Sequence, residues 1–252
     1  MRKAGLFISE YLREGKLSSN RSKPIGQGGN AVVYASDTPG NVMKQLKDRD
    51  RGRFDLPGDA PAVIDEANLQ AIAAEMGIAP RVAGVETFRG GIGNRIEMED
   101  IRDNFETHGN RYREFPEGQD AVRVNQQLGQ LALKGVRLDD RHNGNVMYNK
   151  MTGRPLQLDF GIGDRVSGSD QVQALAEATA DGFSAAGIGD VGDIFRATVY
   201  DLLEGGQVAD AMDVAKQGFS RLQKIRAPLQ GVETVIPNAA TPGYSIQDFI
   251  PG

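Results

Sequence analysis

Residues 136–149 read VRLDDRHNGNVMYN, and residues 156–163 read LQLDFGIG. Asp140 and Asn145 stand five residues apart in a polar loop that leads into the β-prone run VMYN. Asp159, Phe160 and Gly161 follow a second short apolar run, with Asp159 19 residues after Asp140. An aspartate in such a loop can accept or orient a hydroxyl proton. Asn145 and Asp159 offer hard oxygen atoms of the kind Mg²⁺ takes when it is bound together with phosphates. Separately each is an ordinary loop or turn residue; in this order, on these elements, they form one constellation.

Upstream, residues 25–34 (IGQGGNAVVY) place Gly26 and Gly28 in a strand–turn–strand whose backbone N–H groups can approach phosphate oxygens closely. Another strand follows where a dinucleotide-binding fingerprint needs a helix, and no Gly-Lys-Ser/Thr follows as in a P-loop. Lys44 lies in VMKQL: it is either an outward lysine or one whose ammonium reaches phosphates and is held by a carboxylate. Glu66 is the expected partner, because it lies along the apolar stripe predicted for a helix at Leu69, Ile72, Ala73 and Met76. A carboxylate aimed at the buried side of a helix needs a positive partner. Asp65 borders the stripe as the fallback.

Around these residues the chain reads strand, strand, strand, helix, strand, strand over its first hundred residues. The segments are AVVYAS and VMKQL about a turn at Asp37, Pro39 and Gly40, a helix ending at Gly77, then RVAGVETF and RIEMED about Gly90–Gly93. Residues 119–135 are helical by spacing. Residues 170–225 read as two or three helices broken near Gly187–Gly192 and Gly205–Gly206. A leader or short helix occupies 1–21, and a Pro/Gly-rich tail occupies 228–252.

Composition excludes more than it proposes. The chain has 252 residues, no cysteine and two histidines, His108 and His142, so disulfides, thiolate chemistry and multi-histidine metal sites are out. With 29 basic and 34 acidic residues well mixed, neither nucleic acid nor an anionic membrane is expected as a partner. No run approaches the ~18 apolar residues of a membrane span, and no signal-peptide pattern opens the sequence.

The constellation resembles the protein-kinase-like superfamily. IGQGGNAVVY is similar to the family's glycine-rich loop, with Gly26 and Gly28 matching and Ala31 in place of the third glycine. The resemblance implies that Gly26, Gly28, Gly29 and Lys44 hold phosphates and that Glu66 holds Lys44. It makes IEMEDI (96–101) a hinge with Met98 as gatekeeper, and Glu99 and Ile101 offering backbone to adenine. It makes Asp140 the catalytic aspartate and Asn145 and Asp159 the metal ligands, with ATP and Mg²⁺ as cofactors. His142 stands where protein kinases usually carry lysine and small-molecule kinases often carry histidine, so it contacts the γ-phosphate or braces the loop. The usual His-Arg before the aspartate is replaced by Leu138-Asp139, and no Ala-Pro-Glu follows Gly161.

The implied fold is α+β and bilobal, with an antiparallel β-sheet N-lobe carrying one helix (22–101) and a reduced helical C-lobe (102–227), similar to minimal kinases of bacterial effectors. The expected activity is transfer of the ATP γ-phosphate to a protein hydroxyl, Ser/Thr ahead of Tyr, without a regulatory activation segment. Alternatives are a small-molecule kinase similar to aminoglycoside phosphotransferases, or a kinase-fold binding module of a phage or effector. The expected partner is a protein substrate, one in a host cell included, and the chain is compatible with a monomer. The expected site of action is the cytoplasm, or a host cell reached without a cleaved signal.

Overall fold

The computed structural model describes residues 19–20, 24–27, 31–46, 59–86, 95–107 and 115–225. The leader apart from Ser19 and Asn20, Gly28 and Gly29 of the glycine-rich loop, the Gly90–Gly93 turn, His108 and the 228–252 tail lie outside them. The chain divides into two compact units. The first takes the described residues up to Glu106 together with Asn145–Met147 and Leu156–Gly163; the rest belong to the second.

The first unit is built on an antiparallel sheet. Its strands are β1 (Ser19–Asn20), β2 (Gly26–Gln27), β3 (Ala31–Ser36), β4 (Asn41–Leu46), β5 (Val82–Glu86) and β6 (Arg95–Glu99), in the order β1-β3-β4-β6-β5 with β2 also on β3. A tight turn joins β3 to β4: Asn41 N–H donates to the Thr38 carbonyl at 3.1 Å, and the Ser36 hydroxyl accepts from Thr38 N–H. The register sets Lys44 opposite Val33 on one side and Ile96 on the other. Side chains alternate between the two faces of a strand, so Lys44 shares a face with Val42. That face is the one covered by α1 (Asp59–Glu75). Val42, Val82, Val85, Ile96 and Met98 of the sheet pack there against Val63, Ala67 and Ala71 of the helix.

This corrects the expected stripe. The buried line of α1 facing the sheet is Val63, Glu66, Ala67, Gln70 and Ala71, at i, i+3, i+4, i+7 and i+8; Leu69 and Ala73 are buried outside that cluster, while Ile72 and Met76 are only partly covered. Counting apolar residues alone missed it because two members are polar. Gln70 sits there without an apolar side chain because its Nε2 donates to the Pro80 carbonyl at 3.0 Å and lies 3.5 Å from Met98 Sδ. Gly77, at φ +65°, ends the helix: its N–H donates to the Ala74 carbonyl and Ile78 N–H to that of Ala73, the paired bonds of a Schellman motif. A two-residue strand, β7 (Phe105–Glu106), closes this stretch.

The second unit is helical. After α2 (Gly118–Leu133) come β8 (Val136–Leu138), a 3₁₀ turn at Asn143–Asn145, and β9 (Val146–Asn149) and β10 (Pro155–Gln157), which run through both units. β11 (Gly163–Arg165) pairs with β8, and three helices follow: α3 (Gly168–Ala185), α4 (Gly189–Glu204) and α5 (Val208–Lys224). The breaks fall at the glycines expected to cause them. The four helices enclose an apolar core of Val122, Leu175, Phe183, Phe195, Val199, Phe219 and Leu222, with Phe183 and Phe195 edge to face at 6.0 Å between ring centres. Glycines set the spacing: a Cβ at Gly129 would lie 2.1 Å from the Phe219 ring, and one at Gly218 would lie 2.2 Å from the Phe195 ring. Among the described residues, no helix is long and apolar enough to cross a membrane.

Candidate active site

Lys44 is only 6 % exposed, in the interior between the sheet and α1. Its ammonium donates to Glu66 Oε1 and, at 2.8 Å, to Asp159 Oδ1. Glu66 is 3 % exposed, while Asp65, the fallback partner, points out to solvent. Burial opposes the charge on Lys44, but the two carboxylates outweigh it and hold its pKa above the ordinary lysine value. The ammonium is therefore a fixed positive charge set where water does not screen it.

Asp159 reaches this position from the end of β10. Gln157 N–H donates to the Ile78 carbonyl at 2.7 Å, just past the C-terminus of α1, and Leu158 N–H donates to the Asn145 carbonyl at 2.9 Å. The second bond ties the Asn145 segment to the Asp159 segment, so both oxygen-bearing side chains belong to the sheet unit. Phe160, 1 % exposed, anchors the turn, and Gly161 N–H donates to Asp159 Oδ1 at 3.0 Å. A Cβ on Gly161 would stand 3.2 Å from Asp159 Oδ1 and 3.3 Å from Glu66 Oε2, so any other residue there would press on both carboxylates. Among the described residues, no three carboxylate or imidazole groups converge to cage a metal ion. One carboxylate and one amide suit a Mg²⁺ that keeps waters or takes phosphate oxygens, not an all-protein cage.

The expected hinge is the end of β6 and the turn after it. Met98 is buried on the α1 face and Glu99 is exposed, with its N–H donating to the Arg81 carbonyl at 2.9 Å. Ile101 is buried, and its carbonyl caps the next turn by accepting from Asn104 and Phe105. Gly26 lies in β2 opposite Val33, and Val33 is opposite Lys44, so the one described glycine of the loop shares a cross-strand row with the lysine.

Asp140 and His142 belong to the helical unit. His142 Nδ1 accepts from Gly144 N–H at 3.0 Å, which leaves the ring proton on Nε2, 3.4 Å from Asp140 Oδ1. The imidazole thus braces the loop from both of its nitrogens. Between them lies Arg141, which sequence reading passed over. Its Nε donates to the Leu138 carbonyl at 2.9 Å, and its terminal nitrogens face Glu177 and Asp181 of α3. The signal for it was present as two carboxylates four apart on a predicted helix, but nothing local connected them to residue 141.

An antiparallel sheet covered by a helix whose glutamate holds a strand lysine, and a helical unit that carries the aspartate loop, give the α+β fold that the sequence resemblance implies. No protein-family model matches the sequence, and no curated protein matches it. Among solved structures the chain is similar to the bifunctional kinase-methyltransferase WbdD, at 13% identity and a TM-score of 0.43, over 78% of this chain and 43% of that one. It is also similar to a double mutant of the kinase domain of Mycobacterium tuberculosis PknI, at 13% identity and a TM-score of 0.38, over 65% of this chain and 70% of that one. The chain therefore spans less than half the length of the WbdD chain.

Proposed function

We propose that the protein is an ATP- and Mg²⁺-dependent phosphotransferase acting on a hydroxyl, with a protein Ser, Thr or Tyr side chain as acceptor. The observation that carries this reading is the buried Lys44 ammonium, shared between Glu66 of α1 and Asp159. Stability alone gives little reason to bury such a charge, since the desolvation cost matches or exceeds what the pair returns. A fixed cation beside two oxygen ligands is what a polyphosphate needs.

In this reading Lys44 orients the phosphates, Glu66 keeps its ammonium in place, and Asn145 and Asp159 hold Mg²⁺, which neutralises phosphate charge when bound. Gly26, Gly28 and Gly29 cover the phosphates with backbone N–H groups, and Glu99 and Ile101 present backbone to the base. The acceptor oxygen bonds to the γ-phosphorus as the bond to the β,γ-bridging oxygen breaks. ADP leaves with that electron pair, and Asp140 accepts or orients the hydroxyl proton. His142 acts by bracing Asp140.

The test is incubation with γ-labelled ATP and Mg²⁺, alone and with a cell lysate, beside Lys44→Ala and Asp159→Ala. Label should enter protein with the wild type and fall by at least about 10²–10³-fold in either variant. Full transfer by either variant sinks the assignment. A small-molecule acceptor is the second reading. It is favoured by the two residues, Val166 and Ser167, that separate β11 from α3, which leave little chain for a peptide platform. Label appearing in amino alcohols, sugars or aminoglycosides, and not in protein, would select it.

A further inference from the structure

The helical unit contains a second set of charged side chains, arranged in tiers. Glu177 and Asp181 are four residues apart on α3, and Arg196 and Tyr200 are four apart on α4, so each pair occupies one face across one helical turn. Arg196 donates to Asp181 Oδ1 at 2.6 Å and the Tyr200 hydroxyl to Glu177 Oε1 at 3.2 Å. The same two carboxylates face the Arg141 guanidinium, with Asp181 Oδ2 at 3.6 Å and Glu177 Oε2 at 3.7 Å. The third nitrogen of Arg141 turns back to its own loop and donates to the Leu138 carbonyl. Its backbone N–H donates to the Asp139 carbonyl at 3.2 Å, which closes the turn.

We propose that Arg141 is a positioning residue for Asp140, transmitting the fixed geometry of the α3–α4 pair to the aspartate loop; this rests on the phosphotransferase reading above. Asp140 sits between two pinned neighbours. Arg141 is held by α3 on one side, and His142 is held by Gly144 N–H on the other, with its Nε2 turned to Asp140. Arg141 is well covered, but its carboxylate partners are nearly half exposed, and ion pairs in that setting add little to stability. The arrangement supplies orientation: one hydrogen bond and two ion pairs fall on three different nitrogens of one planar group, which a lysine ammonium cannot reproduce. Orientation of a reacting group is where small displacements are felt most in rate.

The experiment uses the full chain with Arg141→Gln, Arg141→Lys and Asp181→Asn. Two quantities are read: phosphotransfer with nucleotide affinity measured separately, and the ¹⁵N spectrum of the His142 ring. The chain has two histidines, so His108→Gln assigns the spectrum. The clamp predicts a fall in kcat of about 10- to 100-fold in Arg141→Gln with nucleotide affinity unchanged. Arg141→Lys should recover little of it, and the single tautomer of His142, protonated on Nε2, should be lost. A kcat that falls only as far as the folded fraction does, or a His142 spectrum identical to wild type, overturns the proposal. Should Arg141→Gln fail to fold, Asp181→Asn and Glu177→Gln remove one anchor at a time and carry the same readouts. If the wild type transfers no phosphate to any acceptor, the phosphotransferase reading falls. The His142 spectrum still decides the clamp: a changed tautomer supports it and an unchanged one overturns it.

Discussion

Between β4 and α1 the sheet unit encloses an ammonium and a carboxylate, whereas the space enclosed by α2, α3, α4 and α5 is apolar down to its glycines. The buried polar side chains divide the same way. Lys44, Glu66, Gln70, Glu86, Arg95, Glu97, Asn145 and Gln157 all belong to the sheet unit. Among the described residues, the helical unit buries only Gln127 and Thr179, and both donate to backbone carbonyls at 2.7 Å. One unit is packed for stability and the other carries charge at a cost. For Lys44, where stability does not explain the buried charge, phosphate binding is the explanation proposed above.

The sharpest break in that comparison is at Lys44. Lys44→Met alone leaves Glu66 buried without its nearest cation and should destabilise the protein by about 3–5 kcal/mol. Lys44→Met combined with Glu66→Leu removes both charges from the same space and should recover most of that loss in urea unfolding, yet transfer no phosphate. The Arg95–Glu86 pair, whose members face each other across β5 and β6 at 3.4 Å, is the control. Arg95→Leu with Glu86→Leu should leave transfer intact. A double variant at Lys44 and Glu66 that still transfers phosphate would show that buried charge here marks nothing but tolerance.

The helical unit should respond to volume instead of charge. Gly129→Ala drives a Cβ into the Phe219 ring, whose nearest atoms would be 2.1, 2.5 and 2.8 Å away. A ring cannot bend aside as a chain end can, so overpacking should cost about 1–3 kcal/mol. Phe219→Leu in the same molecule opens room and should return part of it. Phosphotransfer per folded molecule should not change. A loss of activity beyond the unfolded fraction would mean that helix spacing reaches the aspartate loop within the helical unit.

How far sequence reading reached follows the same divide. The strand-like run VMKQL left Lys44 either outward or paired, and the resemblance chose the paired reading; Glu66 was legible because it lies along a helical stripe, a local and periodic signal. The breaks at Gly187 and at Gly205–Gly206 were legible for the same reason: glycine at the end of a periodic run takes the positive φ that closes a helix, as Gly187 and Gly206 do. The sheet-facing stripe of α1 was misread because Glu66 and Gln70 occupy two of its positions, and hydropathy cannot show a polar side chain whose partner lies on another element. Arg141 stayed hidden for a related reason. Its anchors are 36 and 40 residues further on, and an arginine beside an aspartate in a loop has no periodicity to betray it.

The smallest effect is the one most specific to the comparison, because pH reaches both units by different groups. Tyr148, on β9 in the helical unit, is fully buried, and burial pushes its hydroxyl pKa well above the ordinary tyrosine value near 10. The folded state therefore holds that proton more tightly than the unfolded chain does. Its stabilising share is complete below about pH 10 and shrinks as pH rises, by up to about 1.4 kcal/mol per pH unit. Lys44 acts in the same direction in the sheet unit, since its raised pKa means that the charged, paired form is the folded one. Tyr148→Phe removes the first contribution and leaves the second. Denaturant midpoints measured from pH 8 to 11 should fall more gently in Tyr148→Phe than in the wild type, and more gently still when the Lys44→Met, Glu66→Leu pair is added. If Tyr148→Phe leaves the alkaline slope unchanged, the hydroxyl ionises without unfolding the helical unit, and burial does not hold its proton.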